Sequence, residues 1–382
     1  MHPIVIVGTG LAGFNTVKEF RKLDKETPIV MLTADDGRNY SKPMLSAGFS
    51  KGKTADDLCM ATPEKVAEQL NVDVRTGVHV AGIDAANKRV LLPDDHLDYS
   101  KLVLALGADT WTPPLEGDAV GEVFSVNDLM DYGKFRAAVE GKKTVTILGG
   151  GLIGCEFAND LSNGGVKVSL VEPMGRCLPL LLPEQASEAV GRGLADLGVQ
   201  FHFGPLAKAV HHGDNGQLVT ELSDGSQLEP DVVLSAIGLR PRISLAKEAG
   251  LDTNRGILTD KSLRTSAEHI YALGDCAEVQ GHVLPYVLPL MASARALAKT
   301  LAGETTEVSY GVMPVTIKTP ACPVVVCPAA EGSEGAWEVE AEGNTVQALF
   351  RSKDGSLLGY ALTGEAVKEK MKLNKELPAI MP

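Results

Sequence analysis

P-I-V-I-V-G-T-G-L-A-G at residues 3–13 returns, almost unchanged, as T-V-T-I-L-G-G-G-L-I-G at residues 144–154. Each is a short β-branched run that flows into G-x-G-x-x-G and then into a helix-like segment. The first glycine of such a motif turns tightly, the second lets backbone approach a pyrophosphate, and the third allows close helix–strand packing. The N-terminus of the following helix adds partial positive charge. A single match means little in a chain with 40 glycines. Two matches, each with a strand before and a helix after, predict two βαβ dinucleotide-binding units. The pattern places helices over 14–23 and 155–163, the second stopped by Gly164-Gly165, with further strands at 29–33 and 167–172.

Three more runs end in the same way. K-L-V-L-A-L-G-A-D (101–109), D-V-V-L-S-A-I-G-L-R-P (231–241) and H-I-Y-A-L-G-D-C-A (269–277) each read as a buried strand closed by glycine. Beyond residue 310 the pattern changes to strand-like alternation, followed by a basic, helix-like tail, A-V-K-E-K-M-K-L-N-K (366–375). The expected fold class is therefore α/β: two doubly wound, Rossmann-like domains and a C-terminal α+β domain. The first domain is split, 1–110 and 237–310; the second, 111–236, is inserted into it; the C-terminal domain is 311–382.

Composition narrows the function. A net charge of −13 argues against nucleic acid, which wants a basic face. No apolar run reaches the roughly 18 residues that cross a bilayer. The opening M-H-P-I-V-I-V-G enters a strand at once with no basic leader, so a cytoplasmic protein without membrane insertion is expected. The six cysteines (59, 155, 177, 276, 322 and 327) are scattered, as reduced thiols are. Cys322 and Cys327 share a Cys-x4-Cys spacing, but along the strand-like C-P-V-V-V-C they point to opposite faces. Two buried structural thiols are expected there, and no metal site.

Acids about twenty residues beyond each motif should meet ribose hydroxyls. In the second unit Glu172 closes the strand, suits the free 2′-OH of NAD and would repel a 2′-phosphate. Arg176 lies close enough to soften that preference for NADH. In the first unit the strand ends T-A-D-D, leaving Asp35 or Asp36 as the acid.

G-T-G-L-A-G, L-A-L-G-A, G-G-G-L-I-G-C-E, A-I-G-L-R-P and Y-A-L-G-D, in this order along the whole chain, resemble the FAD-dependent pyridine-nucleotide disulfide oxidoreductase superfamily. The resemblance implies a glutathione-reductase-like fold. FAD would sit on Gly8, Thr9, Gly10, Leu11, Ala12, Gly13 and Gly107, with Asp275 on its ribityl chain. NAD would sit on Gly149, Gly151, Leu152, Ile153, Gly154 and Glu172, and Gly238 would also line a cofactor site.

Disulfide reductases of this kind carry their active cysteines on the segment that here reads N-Y-S-K-P-M-L-S-A-G-F-S (39–50), which has none. The absence also weakens coenzyme A disulfide reductase and NADH oxidase readings. Y-S-K-P with G-C-E, and likewise T-A-D-D-G-R, K-T-P-A-C-P and L-N-K-E-L-P, resemble the rubredoxin reductases of bacterial alkane oxidation. That likeness implies that Lys42, beside Pro43, packs by the flavin and pairs with Glu156. It adds Thr33, Ala34 and Val80 to the FAD lining, and Val287 and Lys318 near the ring.

The implied activity is hydride transfer from NADH to FAD N5, then single electrons to rubredoxin, a small iron protein, feeding an alkane hydroxylase. A ferredoxin reductase serving an oxygenase and a redox-sensing flavoprotein are the alternatives. Rubredoxins are acidic as a family, so docking on this acidic chain calls for a local basic patch. Arg38, Lys42, Lys51 and Lys53 offer one; a tail helix presenting Lys368, Lys372 and Lys375, with Lys370 nearby, offers another.

Overall fold

The run Ile4–Val7 is buried at all four positions, as a central parallel strand covered on both faces must be. In the computed structural model, which describes residues 2–382, it is the middle of a five-stranded parallel sheet. The order is Ile270–Ala272, Lys101–Leu104, Ile4–Val7, Ile29–Leu32, Asp73–Arg75. The second motif strand, Thr144–Leu148, has the same place in a four-stranded parallel sheet, between Lys167–Glu172 and Val232–Ser235, with Gln200–Phe203 at the edge. Neighbours on the two sides of each motif strand lead away in opposite directions. The carboxyl end of each is therefore a topological switch point, where open α/β sheets bind ligands.

Helix α1 spans Leu11–Arg21 and helix α2 spans Leu152–Asn163. Both begin three residues earlier than the sequence pattern places them. Gly10 and Gly151 are extended N-caps, so the third glycine of each motif lies inside the first helical turn. Helix α1 packs on α3, Val287–Leu301, within the first unit. The chain passes between units along a two-stranded antiparallel ribbon, Ala108–Thr110 with Leu239–Pro241.

A five-stranded antiparallel sheet follows, in the order Val315–Ile317, Val324–Cys327, Leu357–Thr363, Thr345–Arg351, Ala336–Glu342. Its exposed edge carries Glu338, Glu340 and Glu342, charges that discourage edge-to-edge pairing. Its other face joins the core of the second unit: Val315, Ile317, Val324, Val326 and Val346 cluster with Phe157, Leu161, Val190 and Leu194. The helix Glu184–Asp196 lies under this sheet so closely that a Cβ on Gly193 would come 2.8 Å from the Cβ of Cys322.

The tail differs from the single helix read from its lysines. Residues Gly364–Glu369 form a 3-10 turn and only Lys370–Leu373 are α-helical. The i, i+4, i+7 lysine face is therefore not built, and Lys368 is paired with Glu365. All six cysteines are free; Cys322 and Cys327 fall in different apolar clusters. Burial raises both thiols, Cys327 to about 11, which keeps it an unreactive thiol.

Candidate active site

Gly8 turns the chain out of its strand with φ +116°, and Gly149 does the same with φ +103°. A Cβ on Gly13 would stand 2.0 Å from the Gly8 carbonyl oxygen, and one on Gly154 would stand 1.9 Å from that of Gly149. These contacts weld each loop to its helix. Gly10 and Gly151, by contrast, face open space, with nothing within 4 Å of a Cβ position. Neither helix start has a side-chain cap. Each loop thus leaves first-turn N–H groups without a side-chain partner beside an open hollow, the arrangement that takes a pyrophosphate. Gly238 (φ +118°) also borders open space; Ile153, in the first turn of α2, is 40% exposed.

Of the two candidate acids in the first unit, Asp35 is the one turned to the loop. Its carboxylate accepts from Thr33 Oγ1 (2.7 Å), Thr9 Oγ1 (3.3 Å) and the Gly37 N–H (2.8 Å). Asp36 instead pairs with Arg38 (2.8 Å). The stretch leading to Val80 lies alongside, with the Val78 N–H donating to the Thr33 carbonyl at 2.8 Å. In the second unit Glu172, buried, accepts from the Gly150 N–H and the Met174 N–H, both at 2.8 Å. Two such bonds use about half of a carboxylate's roughly four acceptor positions.

The expected Lys42–Glu156 pair is not formed. Glu156, 0% exposed, accepts from Ser46 Oγ (2.5 Å), the Lys318 N–H (2.8 Å) and Lys318 Nζ (2.5 Å). Lys42 Nζ donates to Asn127 Oδ1 at 2.7 Å. The local reason is the 3-10 turn Lys42–Ala47, kinked at Ser46. Its tighter winding sends residues four apart to different neighbours, so Ser46 rather than Lys42 meets α2. Two further buried polar groups of α2 reach out: Asp160 accepts from the Phe49 N–H (2.8 Å) and Ser50 Oγ (2.5 Å), and Asn159 from the Ala321 N–H (3.1 Å).

Burial lowers the Lys42 pKa; Asp275 pulls it back up, Arg242 pushes it down, and Asp128 and Asp131 add smaller upward pulls. Burial raises Asp275, with Lys42 the charge opposing that rise. Sequence reasoning missed Ser46, Asn127, Asn159 and Asp160, because no local motif marks a residue whose partner lies far along the chain. Of the basic candidates, Arg38 is offset by Asp36 and Asp56, whereas Lys51 and Lys53 are exposed. Among the described residues no cluster of three or more His, Cys, Asp or Glu could hold a metal ion, and no helix is long and apolar enough to cross a membrane.

The model of the pyridine nucleotide-disulphide oxidoreductase family matches residues 2–298, and that of the rubredoxin binding C-terminal domain matches residues 307–377. The chain is 99% identical to a rubredoxin-NAD(+) reductase of Alcanivorax borkumensis, with all of both chains covered. It is 43% identical to a rubredoxin-NAD(+) reductase of Acinetobacter baylyi, covering 100% of this chain and 99% of the relative. Among solved structures it is similar to a ferredoxin reductase for the CYP199A2 system from Rhodopseudomonas palustris. The TM-score is 0.88 at 24% identity, over 100% of this chain and 96% of that one, a likeness of fold.

Proposed function

The chain belongs to the pyridine nucleotide-disulphide oxidoreductase family, and on that premise we propose that it carries electrons from NADH through FAD to rubredoxin. One observation carries this reading. The rubredoxin-binding unit, residues 307–377, contributes Lys318 to the buried carboxylate of Glu156, two residues beyond the second dinucleotide motif. A buried ion pair thus joins this unit to the helix of the second motif, beside the segment that carries Lys42 and Ser46.

The residues present fit both cofactors. The open hollows at Gly10 and Gly151, the uncapped starts of α1 and α2, and the acids Asp35 and Glu172 suit two dinucleotides. FAD supplies the ability to take two electrons together as hydride and to release them one at a time. The chain itself positions. Asp35, with Thr9 and Thr33, would hold the FAD adenosine end, and Asp275 and Lys42 the flavin end. Glu172 would take the NADH ribose hydroxyls while fixing the Gly150 loop. Lys318 and Ser46 hold Glu156, and with it the start of α2, against the flavin segment. With FAD bound, Lys42 would supply a cation to favour the negative charge that reduction adds.

We further assign residues 1–110 and 237–310 to FAD, 111–236 to NADH and 311–382 to acceptor docking. A cytoplasmic location suits the six free thiols, and a place in an alkane-hydroxylase chain rests on the likeness of Y-S-K-P, T-A-D-D-G-R and L-N-K-E-L-P to rubredoxin reductases of alkane oxidation. The test is anaerobic reduction of the flavin by NADH, then stopped-flow reoxidation by purified rubredoxin or ferredoxin. Faster reoxidation by rubredoxin is expected; faster reoxidation by ferredoxin would move the chain to the other acceptor class.

A further inference from the structure

We propose that Asn127 is a positioning residue for the flavin: a neutral amide that holds the Lys42 ammonium in place without cancelling its charge. The inference rests on the reading that Lys42 borders FAD. The amide orientation is set by its neighbours. Asn127 Nδ2 donates to the Ala108 carbonyl at 2.8 Å, so Oδ1 is left to accept from Lys42 at 2.7 Å. The Asn127 N–H is tied to Asp131 (3.2 Å), and the residue is buried. Two segments, 85 and 19 residues away in sequence, therefore converge on this one side chain, and its main chain is held by a third contact.

The contrast with Lys318 gives the arrangement its meaning. Lys318 is spent on Glu156, and the pair has no net charge. Lys42 has an uncharged partner, and among the described residues no carboxylate comes within ion-pair distance of its nitrogen; Asp275, Asp128, Asp131 and Arg242 act on it from farther away. Hydride from NADH brings two electrons and one proton, and NAD+ leaves. The site gains one unit of negative charge, which an uncancelled cation stabilises and a salt-bridged one would not. An amide partner thus favours the reduced state, and a carboxylate partner would oppose it.

The test measures the flavin reduction equilibrium against a reference dye in the FAD-loaded protein, for wild type, Asn127→Ala, Lys42→Met and the double variant. In Asn127→Ala the equilibrium constant for reduction falls about tenfold, about 30 mV for a two-electron couple. In the Lys42→Met background the same change adds less than about twofold. An unmoved equilibrium, or an equal shift in both backgrounds, overturns the proposal. Should the alanine variant not retain FAD, Asn127→Asp preserves the shape and cancels the Lys42 charge. It should lower the constant at least as far, and an unchanged or higher value overturns the idea. A wild-type protein that bound no FAD would instead defeat the flavoprotein reading itself.

Discussion

The two glycine motifs are near copies in sequence and in backbone, yet they are built into different surroundings. In the first, the middle position is Thr9, whose hydroxyl meets Asp35. In the second it is Gly150, whose N–H meets Glu172; a Cβ there would come 2.9 Å from the Glu172 Cβ. The longer acid reaches back over the loop and leaves no room for a side chain. Farther along, Asn15 of α1 bonds the Leu11 carbonyl of its own helix (2.7 Å), while the matching Glu156 of α2 bonds outward to two other segments. The first unit keeps its helix to itself: α1 packs on α3, and its buried Arg21 bonds the carbonyls of Leu70 (2.6 Å) and Asn71 (2.7 Å) in the same unit. The second is a junction, its helix fastened to its neighbours by buried polar groups. The same motif can do both because its requirements end at the first helical turn.

The largest break in that comparison should come from Lys318→Met. Glu156 would be left as an unpaired carboxylate in a fully buried place, costing about 3–5 kcal/mol. Asn15→Ala at the matching place in α1 should cost less than about 1 kcal/mol, since only one bond within a helix is lost. Urea denaturation of both variants measures the difference; equal losses would make the two helices equivalent after all.

Gly150→Ala comes next. The forced contact with Glu172 should cost about 1–3 kcal/mol and raise the KM for NADH. Thr9→Ala should cost about 0.5–1.5 kcal/mol, one side-chain hydrogen bond, and leave NADH kinetics unchanged. A Gly150→Ala protein with unaltered stability and KM would show that the second loop has slack.

Glu172→Ala sharpens the comparison on specificity. Flavin reduction should lose about 1 kcal/mol with NADH, near fivefold, and less with NADPH, so the preference between them narrows. An unchanged ratio would leave Glu172 as a loop fastener alone. The smallest effect should follow from reversing Lys51 and Lys53 to Glu. The KM for rubredoxin should rise a few-fold, most at low salt, where screening extends beyond roughly 8 Å, with flavin reduction by NADH unchanged. A salt-independent KM in the wild type would remove electrostatics from docking.

Both motif units and the parallel sheets were legible because their signals are local: β-branched runs, glycines at fixed offsets, an acid at the next strand end. The pairing of the lysines was not. Y-S-K-P and G-C-E can be read as neighbours, but nothing in them says that Ser46 rather than Lys42 turns toward α2, or that Lys318 takes the carboxylate. Those partners lie 110 and 162 residues from Glu156, and the acceptor for Lys42 lies 85 residues away. The tail misled for a related reason. Its lysines have helical spacing, but Gly364 (φ +58°) starts the segment as a 3-10 turn, and only four residues become α-helical.

The C-terminal sheet has a small core of its own on one face, around Val325, Tyr360 and Leu362, but on the other face it has none to itself. Val315, Ile317, Val324 and Val326 share theirs with Phe157 and Leu194, and Cys322 fits against the bare backbone of Gly193. Acceptor choice in this protein is consequently a poor candidate for cut-and-paste exchange. A foreign C-terminal unit spliced in near residue 307 would arrive with the wrong underside, and residues of α2 and of the helix Glu184–Asp196 would have to be transplanted with it. New acceptors are reached more readily by altering exposed side chains one at a time than by trading the whole unit.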